Sequence, residues 1–363
     1  MKKSLLSKTA ISSLISIVIG LTAFPSSASA VEPRKLALDY SYWNPLSLVI
    51  KKQGWLEKDL LPLNTTIQWV YSAGSNKANE NLNANAIQIG SHAGAAAFVA
   101  RANGVPIKTI GVFSQPEWAA LVVGKDSVIT SPAQLKGKKI AATKGTDPYF
   151  FLLQTLRKFG LDDRNDVEIV NLAHSDGRAA LERGDVDAWA GLDPLMAVSV
   201  KTSGSKIIYR NAGFNSYGVL SAREDFIKSS PDIITVVLKE YERARAWILS
   251  NPDEAVALLA EEANIDADVA LTVLRDRTNI NLSLIPGEAQ RAVLVAILPT
   301  LVADAQVRSE VDAKAALATQ YEVSFATAVL QAAKAVVKKA VVKKKAVVKK
   351  KAVVKKKAVV KKP

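Results

Sequence analysis

Cysteine is missing from all 363 residues. Its absence excludes a disulfide framework and a lipid-attachment cysteine. Histidine is almost as scarce, with His92 and His174 the only two. Neither stands beside a nucleophile motif, a paired-carboxylate pattern or metal-ligand spacing, which argues against an enzyme and against a metal-ion binder. No metal ligand and no cofactor is expected. A transmembrane span is lacking too: the apolar run 10–21 follows Lys2, Lys3 and Lys8 and leads to Ala28-Ser29-Ala30. That is the pattern of a secretory signal peptide over residues 1–30, too short and wrongly flanked for a stable span. Acid is absent from the C-terminus, where residues 335–363 repeat AVVKKK after a first, shorter copy. Of the formal charge of +14, +3 lies in the signal segment and +14 in residues 334–363, which leaves the body at −3. A six-residue period forms no fixed apolar face and lysines repel, so residues 331–363 are expected to be extended and disordered. A lysine run of this kind tethers to a polyanion or anionic envelope surface, or has no role. Without aromatics for stacking, and with export away from cytoplasmic DNA, no nucleic-acid partner is expected.

What is present is a repeated strand, loop and helix. The most informative stretch, residues 131–161, reads as a short helix at 132–135, a Gly137 turn, a strand at 139–143, a glycine loop and a long amphipathic helix. Thr146 or Asp147 stands at the N-cap and Pro148 in the first turn, where its missing N–H costs nothing. Asp147 is expected to turn back as a cap. Gly145 lets backbone approach a ligand, and the N–H groups with the helix dipole favour a negative oxygen there. Earlier strands are expected at 34–39, 65–71, 86–90 and 104–113. The loops 40–44, 73–76, 91–94 and 143–148 each open a helix, and in such sheets ligands sit beyond the carboxyl ends of the strands.

The segments 118–127 (WAALVVGKDS) and 217–226 (YGVLSAREDF) read as similar strands crossing between two lobes. They divide the body into a first lobe at 31–117 and 219–330 and an inserted second lobe at 118–218. Within that insert, residues 174–195 place a helix capped at Asp176 and ended by Gly184, then a strand reaching Gly191, then Asp193-Pro194 opening another helix. From Ser229 onward the pattern is helical. Trp189 and Asp193 face the cleft, or serve as core and cap.

LKGKKIAATKGT (135–146), DGRAALERGDVDAWAGLDP (176–194) and KKQGWLEKDL (51–60) occur in order. With them the sequence resembles, over 35–327, the substrate-binding proteins of ABC importers of the nitrate, sulfonate and taurine group, nearest the aliphatic-sulfonate branch. The resemblance implies an α/β, two-lobe periplasmic-binding-protein fold (type II), each lobe a mostly parallel sheet flanked by helices, joined by two hinge strands. It implies a monomer, free in the periplasm, that closes on a small organic anion and docks on a membrane permease. The anionic head is then held by backbone N–H groups and neutral side chains of Gly74, Ser75 and Asn76, of Ser91, His92 and Ala93, and of Lys144, Gly145 and Thr146, with Asp193 completing the site. Tyr42, Trp43 and Asn44 join these, and Trp43, Trp118 and Trp189 are candidates for the organic tail. Leu192 stands where the sulfonate binders carry a second tryptophan, and His92 where a small or acidic residue is usual. The ligand is therefore expected to be an alkanesulfonate or taurine, with nitrate, another organic anion or a pyrimidine precursor as the alternative.

Overall fold

The computed structural model describes residues 32–336 and 338–339. The expected signal peptide and nearly all of the lysine repeat lie outside them. The first part of the chain runs β1 (Arg34–Tyr40), α1 (Pro45–Gln53), α2 (Trp55–Leu60), β2 (Thr65–Tyr71), α3 (Ser75–Asn83), β3 (Ile89–Ala93), α4 (Gly94–Ala102) and β4 (Ile107–Pro116). Then follow β5 (Ala119–Val123), β6 (Lys139–Ala142), α5 (Asp147–Lys158), β7 (Glu168–Asn171), α6 (His174–Arg183), β8 (Ala188–Leu192), α7 (Leu195–Ser203) and β9 (Lys206–Tyr209). The last part comprises β10 (Gly218–Arg223), α8 (Glu224–Ser229), α9 (Pro231–Ser250), α10 (Pro252–Ala263), α11 (Ala267–Leu271), β11 (Thr278–Asn279), α12 (Glu288–Ala303) and α13 (Glu310–Thr319).

Two sheets result, ordered β11-β4-β10-β3-β1-β2 and β7-β6-β8-β5-β9. Both are mixed rather than mostly parallel. β1 pairs in parallel with β2 and β3, and β6 with β7 and β8, whereas β10 runs antiparallel to β3 and β4, and β5 antiparallel to β8 and β9. The antiparallel strands are the ones on either side of the two crossings. The two segments read as similar crossing strands lie in different sheets: β5 belongs to the second and β10 to the first. The chain passes from one sheet to the other in the short links 117–118 and 210–217.

Local chemistry accounts for the helix starts. Asn44 caps α1, its side chain accepting the Ser47 N–H with Pro45 in the first turn, and Gly54 closes the helix at φ 60°; only a residue without a Cβ takes that conformation freely. α5 begins with Pro148 in its first turn and buries Tyr149, Phe150, Phe151, Leu152, Leu153 and Leu156. Those side chains belong to the main core together with Leu36 and Leu38 of β1 and Ile233, Val237 and Tyr241 of α9. Beyond α13, residues 324–336 are helical, so the helix enters the segment expected to be extended. Ala326 and Val329 are buried there, and the alanine-rich run QAAKA continues an already nucleated helix at little cost. β11 also departs from the all-helical expectation: it adds a two-residue edge to β4 at Gln115 and Pro116.

Candidate functional site

The carboxyl ends of the strands from both sheets meet around a small cavity. Trp43 (after β1), Ser75 (start of α3) and Ala93 (end of β3) line one wall; Trp118, Thr146, Asp147, Pro148, His174 and Leu192 line the other. It holds about 200 Å³ of unfilled space, in which the centre of a water-sized molecule has about 10 Å³ to move. A larger, open groove lies along residues 115–117 and 274–281, beginning at the carboxyl end of β4.

The indoles of Trp43 and Trp118 meet edge to face, centroids 5.7 Å apart. Trp118 Nε1 donates to Asp147 Oδ2 at 2.8 Å. The Ser216 N–H donates to the same oxygen at 2.7 Å, and the Ser216 hydroxyl to Asp147 Oδ1 at 2.7 Å. Asp147 therefore does not turn back as a helix cap. Instead it binds the second crossing segment to the start of α5, and burial raises its pKa against the pull of these donors. Ser216 also accepts the Ala95 N–H of α4 at 3.1 Å.

A model of the family described as NMT1/THI5 like matches residues 49–255. The chain belongs to that family. It is 29% identical over 273 residues to an Escherichia coli K12 protein named for aliphatic-sulfonate binding, covering 74% of this chain and 85% of that one. A second such protein, from Bacillus subtilis 168, is 28% identical over 64% of this chain and 71% of its own. Among solved structures, the alkanesulfonate-binding protein SsuA of Xanthomonas axonopodis pv. citri, bound to MOPS, is similar with a TM-score of 0.67 at 26% identity, over 76% of this chain and 94% of that one. The same periplasmic-binding architecture extends to the desulfurization enzyme DszB, at 15% identity and a TM-score of 0.61, a likeness of fold alone.

In this NMT1/THI5-like chain five of the residues singled out from sequence, Trp43, Ser75, Ala93, Trp118 and Thr146, line the cavity. Gly74 and Gly145 stand beside it. A Cβ on Gly74 would come within 3.1 Å of His174 Nε2, and Gly145 has φ 76° with Asn76 close by. The Thr146 hydroxyl donates back to the Thr143 carbonyl at 2.6 Å.

The structure places the other residues singled out from sequence as follows. Ser91, His92 and Ala93 end β3, because pairing with β10 carries the strand to Ala93, and α4 opens directly at Gly94 with Ala93 as its N-cap. Their donors are occupied: Ser91 N and Oγ bind Asp39 Oδ1 at 2.7 and 2.9 Å, the Ala93 N–H binds Ser75 Oγ, and the Gly94 N–H binds the Tyr217 carbonyl. His92 is fully buried, with Nδ1 2.6 Å from Asn79 Oδ1 and Nε2 2.7 Å from Ser221 Oγ. Trp189 is core, 0% exposed, its ring packed on Gly177, where a Cβ would come within 2.9 Å of it. Asp193 pairs with Arg277 at 2.9 Å and caps α7 by accepting the Ala197 N–H. Asn44 is spent as a cap and donates to Tyr241 Oη, and Tyr42 stacks on Tyr71 at 5.1 Å. None of these five, Tyr42, Asn44, His92, Trp189 and Asp193, lines the cavity.

His174 was not among the expected residues. It opens α6, lines the cavity and is 5% exposed. Burial lowers its pKa to about 4, and that of His92 to about 3, so both rings are neutral at physiological pH. The signal that finds it is topological. The turn after β7 opens a helix at a strand's carboxyl end like the four loops named from sequence. Among the described residues no group of three or more histidine, aspartate or glutamate side chains is placed to hold a metal ion, and no helix is long and apolar enough to cross a membrane.

Proposed function

We propose that this protein is the extracytoplasmic substrate-binding component of an ABC importer, which captures a small organic sulfonate between two lobes and hands it to a membrane permease. The observation that carries the reading is the cavity between the two sheets, where Trp43 Nε1 from one side and His174 Nε2 from the other are buried without a partner. Buried polar atoms are rarely left unpaired unless something else binds them. The names of the relatives supply the ligand class. The lobes follow the sheets, residues 31–117 with 219–330 and residues 118–218. Closure on a ligand that touches both walls is a population shift between open and closed forms. A carrier fits walls in which Asp147 is held by three donors and the Thr143 hydroxyl beside His174 donates its proton to the Leu172 carbonyl. The protein works as a monomer in the periplasm, and the lysine tail adds a hold on an anionic envelope surface; retention on anionic vesicles that persists without the tail would remove that last part.

The test is a thermal-shift panel with alkanesulfonates, taurine, sulfate, nitrate and a pyrimidine. A ligand that binds only the folded state adds about 2.7 kcal/mol of stability at 100 times its dissociation constant. A selective shift with sulfonates is expected. A shift with nitrate or the pyrimidine alone would keep the transport role and overturn the ligand class.

A further inference from the structure

The chain passes between the two sheets twice, and along each passage the hydrogen bonds change sides at a single peptide unit. In the first passage Pro116 pairs with Thr278 of the first sheet, and the Glu117 N–H donates to the Arg277 carbonyl at 2.7 Å. The next residue belongs to the other side: the Trp118 carbonyl accepts the Asp193 N–H at 3.0 Å, and Ala119 opens β5 of the second sheet. In the second passage Asn215 Oδ1 accepts the Ala119 N–H at 2.8 Å, which keeps that residue with β5. Ser216 and Tyr217 face the other way. Ser216 Oγ accepts the Ala95 N–H at 3.1 Å and the Tyr217 carbonyl accepts the Gly94 N–H at 2.8 Å, both from the start of α4 beside the first sheet. The sides change, therefore, between Glu117 and Trp118 and between Asn215 and Ser216.

Two buried carboxylates of the second sheet's side reach across these points, and each stands just before a proline. Asp147 accepts the Ser216 N–H and the Ser216 hydroxyl, both at 2.7 Å. That hydroxyl gives its one proton to Asp147 and a lone pair to Ala95, so a single oxygen joins α4 to α5. Asp193 accepts Arg277 Nη1 on both oxygens, at 3.0 and 2.9 Å, with the two side chains 3% and 10% exposed. Bonds to a charged partner are the stronger kind. Lys201 also reaches Asp266 across the two sides at 3.2 Å, but both are well exposed and such a pair contributes little. We propose that the two lobes turn about the Glu117–Trp118 and Asn215–Ser216 peptide units, and that Asp147 and Asp193 are the latches of the closed form, one at each passage. Turning there leaves every other hydrogen bond of the passages on its own side and breaks these two. The proposal rests on the reading above of a carrier that opens and closes, and supplies its hinge.

The chain has no cysteine of its own, so two introduced thiols are the only sites for spin labels. Lys77→Cys in α3 and Ser175→Cys in α6 put one label on each side of the cleft: both positions are exposed, and the two helices start against each other at Gly74 and His174. Pulsed electron spin resonance on the full chain, first without ligand, reads their separation. This labelled background is expected mainly at the short separation. Ser216→Ala and Arg277→Gln alter residues that do not line the cavity. Each should raise the ratio of long to short separations about tenfold, since each removes a buried bond to a carboxylate. The two together should be mainly long. Asn215→Ala loses bonds to Ala119 and Asn211, all on one side of the pivot, and should lower the urea midpoint with the separation unchanged. A long separation in the background, an unchanged one in the double variant, or equal widening by Asn215→Ala and Ser216→Ala would each overturn the proposal. Excess ethanesulfonate then tests the ligand apart from the hinge. It is expected to return the double variant to the short separation; widening by the variants without that return would keep the latches and remove the sulfonate reading.

Discussion

His92 and His174 are the same residue in nearly the same degree of burial, and the structure uses them differently. His92, inside β3, has a partner for each nitrogen from an element packed against it, Asn79 of α3 and Ser221 of β10. His174, at the start of a helix on the other sheet, has one nitrogen satisfied and one buried without a partner beside Gly74. Counting partners separates the two histidines where exposure and charge state do not: one has both nitrogens engaged by the fold, the other only one.

The largest effect that tests this contrast is on His92. His92→Leu removes two buried hydrogen bonds and strands the Asn79 oxygen, leaving Ser221 only its Thr109 contact, and a loss of about 3 kcal/mol is expected in urea unfolding. A loss below about 1 kcal/mol, or one no greater than that of His174→Leu, would break the distinction.

Next in size is the dependence on pH. Both imidazoles have folded values, about 3 and about 4, below the ordinary 6.5 of the unfolded chain. The unfolded state takes up their protons first, so their stabilisation is complete above pH 6.5 and is lost as pH falls toward those values. Asp39 runs the other way. Burial pushes its carboxyl up from 3.8 to about 7, although Ser91 donates to it twice. Its contribution is complete below pH 3.8 and is lost as pH rises through 7. Asp39→Asn keeps the acceptor for Ser91 and cannot ionise, so it should gain on the order of 3 kcal/mol over the unaltered chain between pH 5 and pH 8.5. Thermal melts across that range check it, and an unchanged difference would mean that Asp39 is not buried as described.

Smaller again is Gly74→Ala. Its backbone is extended, with φ −175°, so the strain is only steric. The new methyl meets Asn76 Oδ1 at 2.9 Å and His174 Nε2 at 3.1 Å. About tenfold weaker ligand binding with the urea midpoint nearly unchanged is expected; unaltered affinity would show that the approach of α3 to His174 does not matter.

Much of this was legible in the residues. The Asn44 cap with Pro45, the Gly184 stop and the β-branched run TTIQWVY announced α1, the end of α6 and β2. Local chemistry sets those features, and it is written locally. The end of β3 was misread because Ser91-His92-Ala93 is small and polar like a helix start, and only the β10 strand beside it, more than a hundred residues away in the chain, makes it a strand. Of the two readings open for Trp189, cleft or core, Gly177 under its ring decides for core. Asp147 resembled a cap because its real partner, Ser216, is 69 residues away. The Arg277 that neutralises Asp193 comes from a region with no chemical pattern at all. In the site as in the fold, what escaped the sequence was pairing between distant segments.

The edge-to-face contact of Trp43 and Trp118 has an optical consequence. One indole follows β1 of the first sheet; the other stands at the crossing into the second. Two indoles 5.7 Å apart share their excitations and give paired bands in the near-ultraviolet circular dichroism that vanish when the rings part. On the proposed reading, the pair is a gauge of aperture readable without a label, set in the wall of the candidate site.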